Sequence, residues 1–197
     1  MLAVRGFFAM LSRMKYINRW GLMRGSRTET LAEHTLETVM LTHALIEIGN
    51  TRFNRSLDAG QAVLLAIYHD CAEILTGDLP TPIKYHDPAI RDAYQSIEGQ
   101  AVDRILGMLP EEMEPAFSPY VRPDERFLRY RPYVKAADKL SALIKCIEET
   151  KMGNREFEMA HRAALGHPAL QMEEAQIFIK EYLPAYALPL DALEKYE

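Results

Sequence analysis

Apolar positions recur at helical spacing from one end of the chain to the other. No stretch alternates apolar and polar residues as a half-buried strand would, and no Asn-Gly or Asp-Gly hairpin signal is present. The first predicted helix runs from Arg5 to about Tyr16, and the polar stretch Asn18 to Glu29 follows. Thr30 and Glu33 form a T-x-x-E capping box ahead of Leu36, Val39, Met40 and Ala44, which predicts a helix to about Gly49. Asp58 caps a third helix over Ala59 to Thr76, with Gly77 at its C-terminal cap. Two prolines in Asp78 to Pro82 predict that no helix continues there. Pro88 starts a helix to about Leu109, and Pro110 starts a short one that fades before Pro119. Arg122 to Arg131 reads as an exposed charged loop. Pro132 suits the first turn of a helix reaching Lys151, which Gly153-Asn154 breaks. Two further helical patterns cover Arg155 to Leu165 and Pro168 to about Leu183, before an irregular tail. The fold class that follows is all-α, a single domain over residues 1–197 with helix packing supplying the core.

Composition narrows the partners. With 48% hydrophobic and 26% charged residues, the chain is neither disordered nor fibrous. A net charge of −5 disfavours nucleic acid as a partner, so an anionic ligand must be met by a few locally placed cations. Cys71 and Cys146 lie in apolar helical runs and read as reduced, buried thiols. No apolar run approaches the roughly 18 residues of a membrane span. The start, Met1 to Met10, is too interrupted for a signal peptide. A soluble cytoplasmic protein with no membrane partner is expected.

The chemistry begins where an apolar helix is interrupted. His69, Asp70 and Glu73 break the run Val63 to Leu75. A carboxylate in such a helix costs several kcal/mol unless it is paired or metal-bound. An isolated His-Asp pair is more often a polar stripe facing solvent. Two distant residues change that balance: His34, in the first turn of the second helix, and Asp138, inside the apolar stretch Val134 to Leu143. From separate helices these supply two nitrogen and two oxygen ligands, a set that suits a divalent first-row metal with open positions. Glu73, one predicted helical turn after His69, would share its face and could orient or deprotonate a water. Arg19 reads equally as a solvated charge or as a bidentate fork for phosphate. Trp20 is the one tryptophan. His43 falls at a different helical angle from His34 and reads as packed; His161 and His167 read as surface. Arg24 and Arg27 read as holding their loop through Glu29 or Glu33.

The spacing His34, His69-Asp70, Asp138 resembles the HD-domain metal-dependent phosphohydrolases. Only His86 lies between the doublet and the last aspartate, so a single-metal site is expected. Several segments are similar to the bacterial 5′-deoxynucleotidases of the YfbR type: Ile17-Asn18-Arg19-Trp20, Met23-Arg24, Arg27-Thr28-Glu29 and Glu33-His34. So are Tyr68-His69-Asp70 through Glu73, Leu75 through Pro82 with Lys84, Lys135-Ala136-Ala137-Asp138, and Lys145 through Glu149. The resemblance implies an HD-domain helical bundle that hydrolyses deoxyribonucleoside 5′-monophosphates to deoxynucleoside and phosphate, working as a homodimer. It implies one divalent transition metal per site, Co2+ or Mn2+, held by His34, His69, Asp70 and Asp138. It places Arg19, Glu73 and Asp78 in catalysis, and Arg19, Trp20, His34, Asp78, Leu79, Pro80, Thr81 and Asp138 against substrate. Two rivals are a phosphohydrolase of nucleoside triphosphates or cyclic dinucleotides, and a non-catalytic nucleotide-binding module. Few evident cations beyond Arg19 and Lys84 disfavour the first, and Glu73 beside the ligands disfavours the second.

Overall fold

The computed structural model describes residues 4–84 and 86–194, apart from the side chain of Thr81. Its helices are α1 (Phe7–Leu11), α2 (Leu31–Arg52), α3 (Ala59–Tyr68), α4 (Glu73–Thr76), α5 (Thr81–Lys84), α6 (Pro88–Leu106), α7 (Glu114–Val121), α8 (Arg131–Lys151), α9 (Glu158–Leu165), α10 (Glu173–Glu181) and α11 (Leu190–Leu193). No strand is present among the described residues. A single antiparallel bridge pairs Asn18 with Thr30.

The core is set by α2, α3 and α8. Leu45, Ile46, Ala66, Leu140 and Leu143 are fully buried where these helices meet. Ala136 and Ala137 are small enough to let α8 approach closely, and both are fully buried. Each large aliphatic side chain removed from water contributes about 1.5–3 kcal/mol, so this three-helix seam fixes the frame. A second cluster forms around Phe7, Leu31, Cys71, Ile74 and Ile105, under the N-terminal segment. Cys71 and Cys146 are free and buried, and burial pushes both thiols up to about 12.

The capping box opens α2: the Thr30 side chain accepts from the Glu33 backbone at 3.2 Å, and the Glu33 carboxylate accepts from the Thr30 backbone at 2.8 Å. Asp58 caps α3 and Asp87 caps α6. The bridge at Thr30 extends into two backbone bonds, Arg19 N–H to Glu29 O at 2.9 Å and Leu31 N–H to Ile17 O at 2.8 Å. Together they lay the 18–20 segment against the start of α2.

Five expectations are corrected. The helix drawn from Ala59 to Thr76 stops at Tyr68, turns through His69 to Ala72, and resumes at Glu73. The tight bonds Cys71 N–H to Tyr68 O and Glu73 N–H to Asp70 O replace regular helical ones there, so the polar pair leaves the helix where the apolar pattern is interrupted. Gly77 ends α4 with φ +74°, a conformation that favours glycine. The proline segment beyond it does resume a helix, because Pro82 sits in the first turn of α5, where its missing N–H has no partner to lose. Pro119 lies inside α7 rather than beyond it. The 122–131 segment is not wholly exposed, since Phe127 and Tyr130 are buried in the core. The tail contains a 3-10 turn, Leu183–Ala187, and α11.

His43 is exposed rather than packed, with 60% of its side chain accessible. His167 accepts from the Ala169 backbone at 3.1 Å as a helix cap. Removing the cap of α2 by Thr30→Ala should lower the unfolding free energy by about 1 kcal/mol, because one orphan backbone donor loses its partner. Urea unfolding checks this, and an unchanged midpoint would show that the cap contributes nothing.

Candidate metal centre

His34 is buried in the first turn of α2. Its Nδ1 lies 3.0 Å from Ser141 Oγ on α8, and Ser141 Oγ donates to Glu37 Oε2 at 2.6 Å. The serine's single hydrogen is spent on Glu37, so His34 Nδ1–H is the donor to Ser141 and Nε2 keeps its lone pair. That Nε2 lies 3.5 Å from Asp70 Oδ2 and 3.5 Å from Asp138 Oδ1.

His69 has the same polarity. Its Nδ1 lies 2.8 Å from the Ala66 carbonyl oxygen and must donate to it. Its Nε2 lies 3.0 Å from Asp70 Oδ2 but is buried without a hydrogen-bond partner among the described residues. Donor atoms of His34, His69 and Asp70 all fall within 4.8 Å of one another. Asp138 joins this set through His34, while its other oxygen takes Lys135 Nζ at 2.9 Å and Lys139 Nζ at 3.2 Å. The chain thus brings all four expected ligand residues together, three in a tight group and Asp138 at its edge.

Charge explains how such a group stays folded. Burial pushes the Asp70 carboxyl up, but the His69 and His34 rings hold it well below the usual range. Asp138 is also held low, burial being outweighed by His34, Lys135 and Lys139. Burial opposes a charged His69 ring, yet Asp70 and Asp138 raise it to about 9. Two outward-braced imidazole rings with an orphaned buried Nε2 beside a carboxylate fit a divalent cation, which takes the place of the shared proton.

Arg19 leans over this group. Its Nε lies 3.1 Å from Glu29 Oε1 and its Nη1 3.9 Å from Asp70 Oδ2. Burial opposes its charge, but Glu29, Asp78, Asp138 and Asp70 surround it and hold the proton more firmly than usual. Trp20 Nε1 donates to Glu29 Oε2 at 2.6 Å, and its ring packs 5.2 Å from Phe157. Asp78 is pushed up by burial, with Arg19 opposing. Glu73 is buried, with Oε2 unpartnered and Oε1 4.0 Å from Lys84 Nζ. Burial, then Asp70 and Asp78, raise its carboxyl to about 8 against Lys84 and Arg19.

Other expected residues stand apart. Leu79 and Pro80 continue the half-buried loop after Asp78, and the Thr81 side chain lies outside the described residues. His86 is exposed and not in the cluster. Arg27 does hold Glu33, at 2.7 Å, but Arg24 pairs with Glu156 instead of Glu29 or Glu33. A cavity of ≈ 410 Å³ opens from His69, Asp70 and Asp138 toward Tyr120, Arg131 and Lys135. Two partners escaped the sequence reading, half-buried Glu37 and buried Ser141, and buried Glu29 reads from sequence as a loop anchor for Arg24 or Arg27 and not as the partner of Arg19 and Trp20. Ser141 alone carried a signal, lying three residues after Asp138 and so on its helical face.

The family model described as 5′-deoxynucleotidase YfbR-like matches residues 6–186. A 5′-deoxynucleotidase of Photorhabdus temperata is 43% identical over 188 residues, 95% of each chain. Another, from Escherichia coli O1:K1, is 42% identical over 190 residues, 96% of each chain. Among solved structures, an HD-domain phosphohydrolase of Listeria innocua superposes with a TM-score of 0.79 at 20% identity, covering 95% of this chain and 91% of that one. The cyanophage S-2L HD phosphohydrolase DatZ, bound to dA and one catalytic Zn2+ ion, gives 0.59 at 22% identity, covering 94% and 98%. These likenesses place the all-α fold among HD-domain proteins.

The raised Glu73 carboxyl has a thermodynamic consequence. A folded value of about 8 against an ordinary 4.5 means that the neutral form stabilises the fold below pH 4.5 and that this stability is lost as pH rises through 8. In chelator-treated protein, Glu73→Gln should therefore melt higher than wild type. The gain should grow between pH 5 and 9 to on the order of a few kcal/mol. Thermal melts across that range check it; a difference independent of pH would mean that Glu73 is not held neutral.

Proposed function

The chain belongs to the YfbR-like 5′-deoxynucleotidase family, and from that premise we propose the role of each site residue in the metal-dependent hydrolysis of deoxyribonucleoside 5′-monophosphates to deoxynucleoside and phosphate. The observation that carries this reading is the convergence of His34, His69 and Asp70 beneath a buried arginine, in a chain so similar to proteins named for that activity. His34, His69, Asp70 and Asp138 would hold the cation. Bound there, a divalent cation supplies Lewis acidity toward the phosphoryl oxygens. The ligand set suits a transition metal; Co2+ or Mn2+ is this reading's choice, although the cyanophage relative carries Zn2+.

Arg19 presents a guanidinium fork to the phosphate dianion, and lysine could not reproduce that geometry. Its four surrounding carboxylates fix its charge and position before substrate arrives. With a cation held beside it, Glu73 would be favoured as the carboxylate, and its buried, unpartnered Oε2 would take the proton of the attacking water as the new P–O bond forms. The P–O5′ bond breaks on the opposite side, and the departing 5′-oxygen takes a proton from solvent or a site carboxylate. Trp20 walls the sugar at its 2′ position. Asp78 accepts from the 3′-hydroxyl. Leu79 to Thr81 complete that wall. No helix among the described residues is long and apolar enough to cross a membrane. This reading places the protein in the cytoplasm as a homodimer, which sedentary mass measurement by light scattering tests.

Malachite-green assay over a nucleotide panel should show phosphate release from dAMP in preference to AMP. EDTA should abolish it and a divalent transition metal restore it. Release from triphosphates alone would overturn the substrate. Asp138→Ala should lose metal and activity while keeping its helical circular dichroism, since the apolar seam is untouched. Glu73→Gln should lower kcat by about 10²–10⁴ with metal still bound. Elemental analysis beside the kinetics separates the two, and full metal occupancy in Asp138→Ala would refute the four-ligand set.

A further inference from the structure

One buried carboxylate has no part in the reaction as described. Glu29 is 8% exposed and lies at the end of the polar stretch before α2. Its two oxygens have different partners: Oε1 faces Arg19 Nε at 3.1 Å, and Oε2 accepts from Trp20 Nε1 at 2.6 Å. Oε1 also lies 3.6 Å from His34 Nδ1. The backbone repeats the pairing, since the Glu29 carbonyl oxygen accepts from Arg19 N–H at 2.9 Å.

Trp20 needs such support. Its φ is +61°, in the left-handed region that a bulky side chain adopts only when its surroundings hold it there. Two contacts do so: the indole N–H to Glu29 and the ring against Phe157. Only the first also fixes Trp20 relative to Arg19. We propose that Glu29 is the positioning residue for substrate, one carboxylate holding the phosphate-facing arginine and the sugar-facing tryptophan at a set separation beside His34, and so a determinant of deoxyribose selectivity. This rests on the nucleotidase reading above.

The chemistry requires a carboxylate. The Trp20 indole N–H donates to Oε2, while the cationic Arg19 Nε faces Oε1 as an ion pair and not as an aligned hydrogen bond, so one position needs an acceptor and the other a negative charge. Glutamine has the same shape but a single oxygen, and its NH2 must face one of the two N–H groups. Aspartate is one methylene short of bridging both from the same backbone position.

Trp20 is the single tryptophan, so its fluorescence reports the contact directly. In Glu29→Gln, metal content by elemental analysis should match wild type. The KM for dAMP should rise roughly tenfold, as expected for one lost charge-assisted hydrogen bond, with a smaller change in kcat. The dAMP over AMP ratio of kcat/KM should narrow, and the ligand-free Trp20 emission maximum should shift. Wild-type KM, selectivity and emission in a folded, metal-loaded Glu29→Gln would overturn the proposal. So would loss of bound metal, because Glu29 would then act through His34 and not on the substrate side. Trp20→Phe keeps the ring against Phe157 but removes its N–H. It should narrow the dAMP preference by itself, and Glu29→Gln added to it should narrow that preference little further; additive losses would overturn the link. Should wild type release no phosphate from any deoxynucleotide, the nucleotidase reading fails alone, and the emission shift in Glu29→Gln still supports or refutes the contact.

Discussion

Keeping Asp70 ionised inside the protein is the constraint on which the rest of the site depends. A buried carboxylate is costly unless positive charge or hydrogen-bond donors surround it. Here two histidine rings lie within 3.5 Å of it, and Arg19 stands at 3.9 Å. Each of those groups is in turn braced. Ser141 and Glu37 fix the His34 ring, the Ala66 carbonyl fixes His69, and Glu29 fixes Arg19. The local chain follows from the same need: α3 ends at Tyr68, and the turn through Ala72 aims both His69 and Asp70 toward α2 and α8.

That arrangement concentrates unfavourable terms where chemistry is expected. Glu73 is buried with an unpartnered oxygen, His69 has an orphaned Nε2, and Trp20 holds a left-handed backbone. Each lowers the stability of the empty fold, and the apolar seam of α2, α3 and α8 must offset them. The helices therefore serve as a rigid frame for groups that would not assemble otherwise, which is how preorganised sites are built.

The segment bearing Arg19 and Trp20 is irregular, yet it is tied at both ends. Near α2 the Asn18–Thr30 bridge closes it. At its far side the buried Glu149 carboxylate accepts from the Ser26 backbone at 2.7 Å and from Lys145 Nζ at 2.5 Å, and Lys145 also donates to the Arg27 carbonyl at 2.8 Å. A loop pinned by buried charge loses little order when it closes on a ligand, so substrate binding need not supply that ordering.

Periodicity and capping residues alone determined the helical class, the start of α2 at Thr30, the cap at Asp58, the start of α6 at Pro88, and the extent of α8, because these depend on local spacing and local hydrogen bonds. The same sequence marked His34, His69, Asp70 and Asp138 as anomalies, because polar groups in apolar helices stand out wherever they meet. Tertiary structure decided what no local pattern encodes. The break after Tyr68 arises because two side chains must reach other helices. His43 faces solvent although its helix is half buried, because only packing selects the buried arc. Glu29, in a polar stretch where it reads as a loop anchor for Arg24 or Arg27, became a buried partner of Arg19 and Trp20 only when the Asn18–Thr30 bridge folded that stretch onto α2. Long-range pairing of this kind leaves no trace in periodicity, since the residues that meet are brought together by the chain's path and not by their spacing.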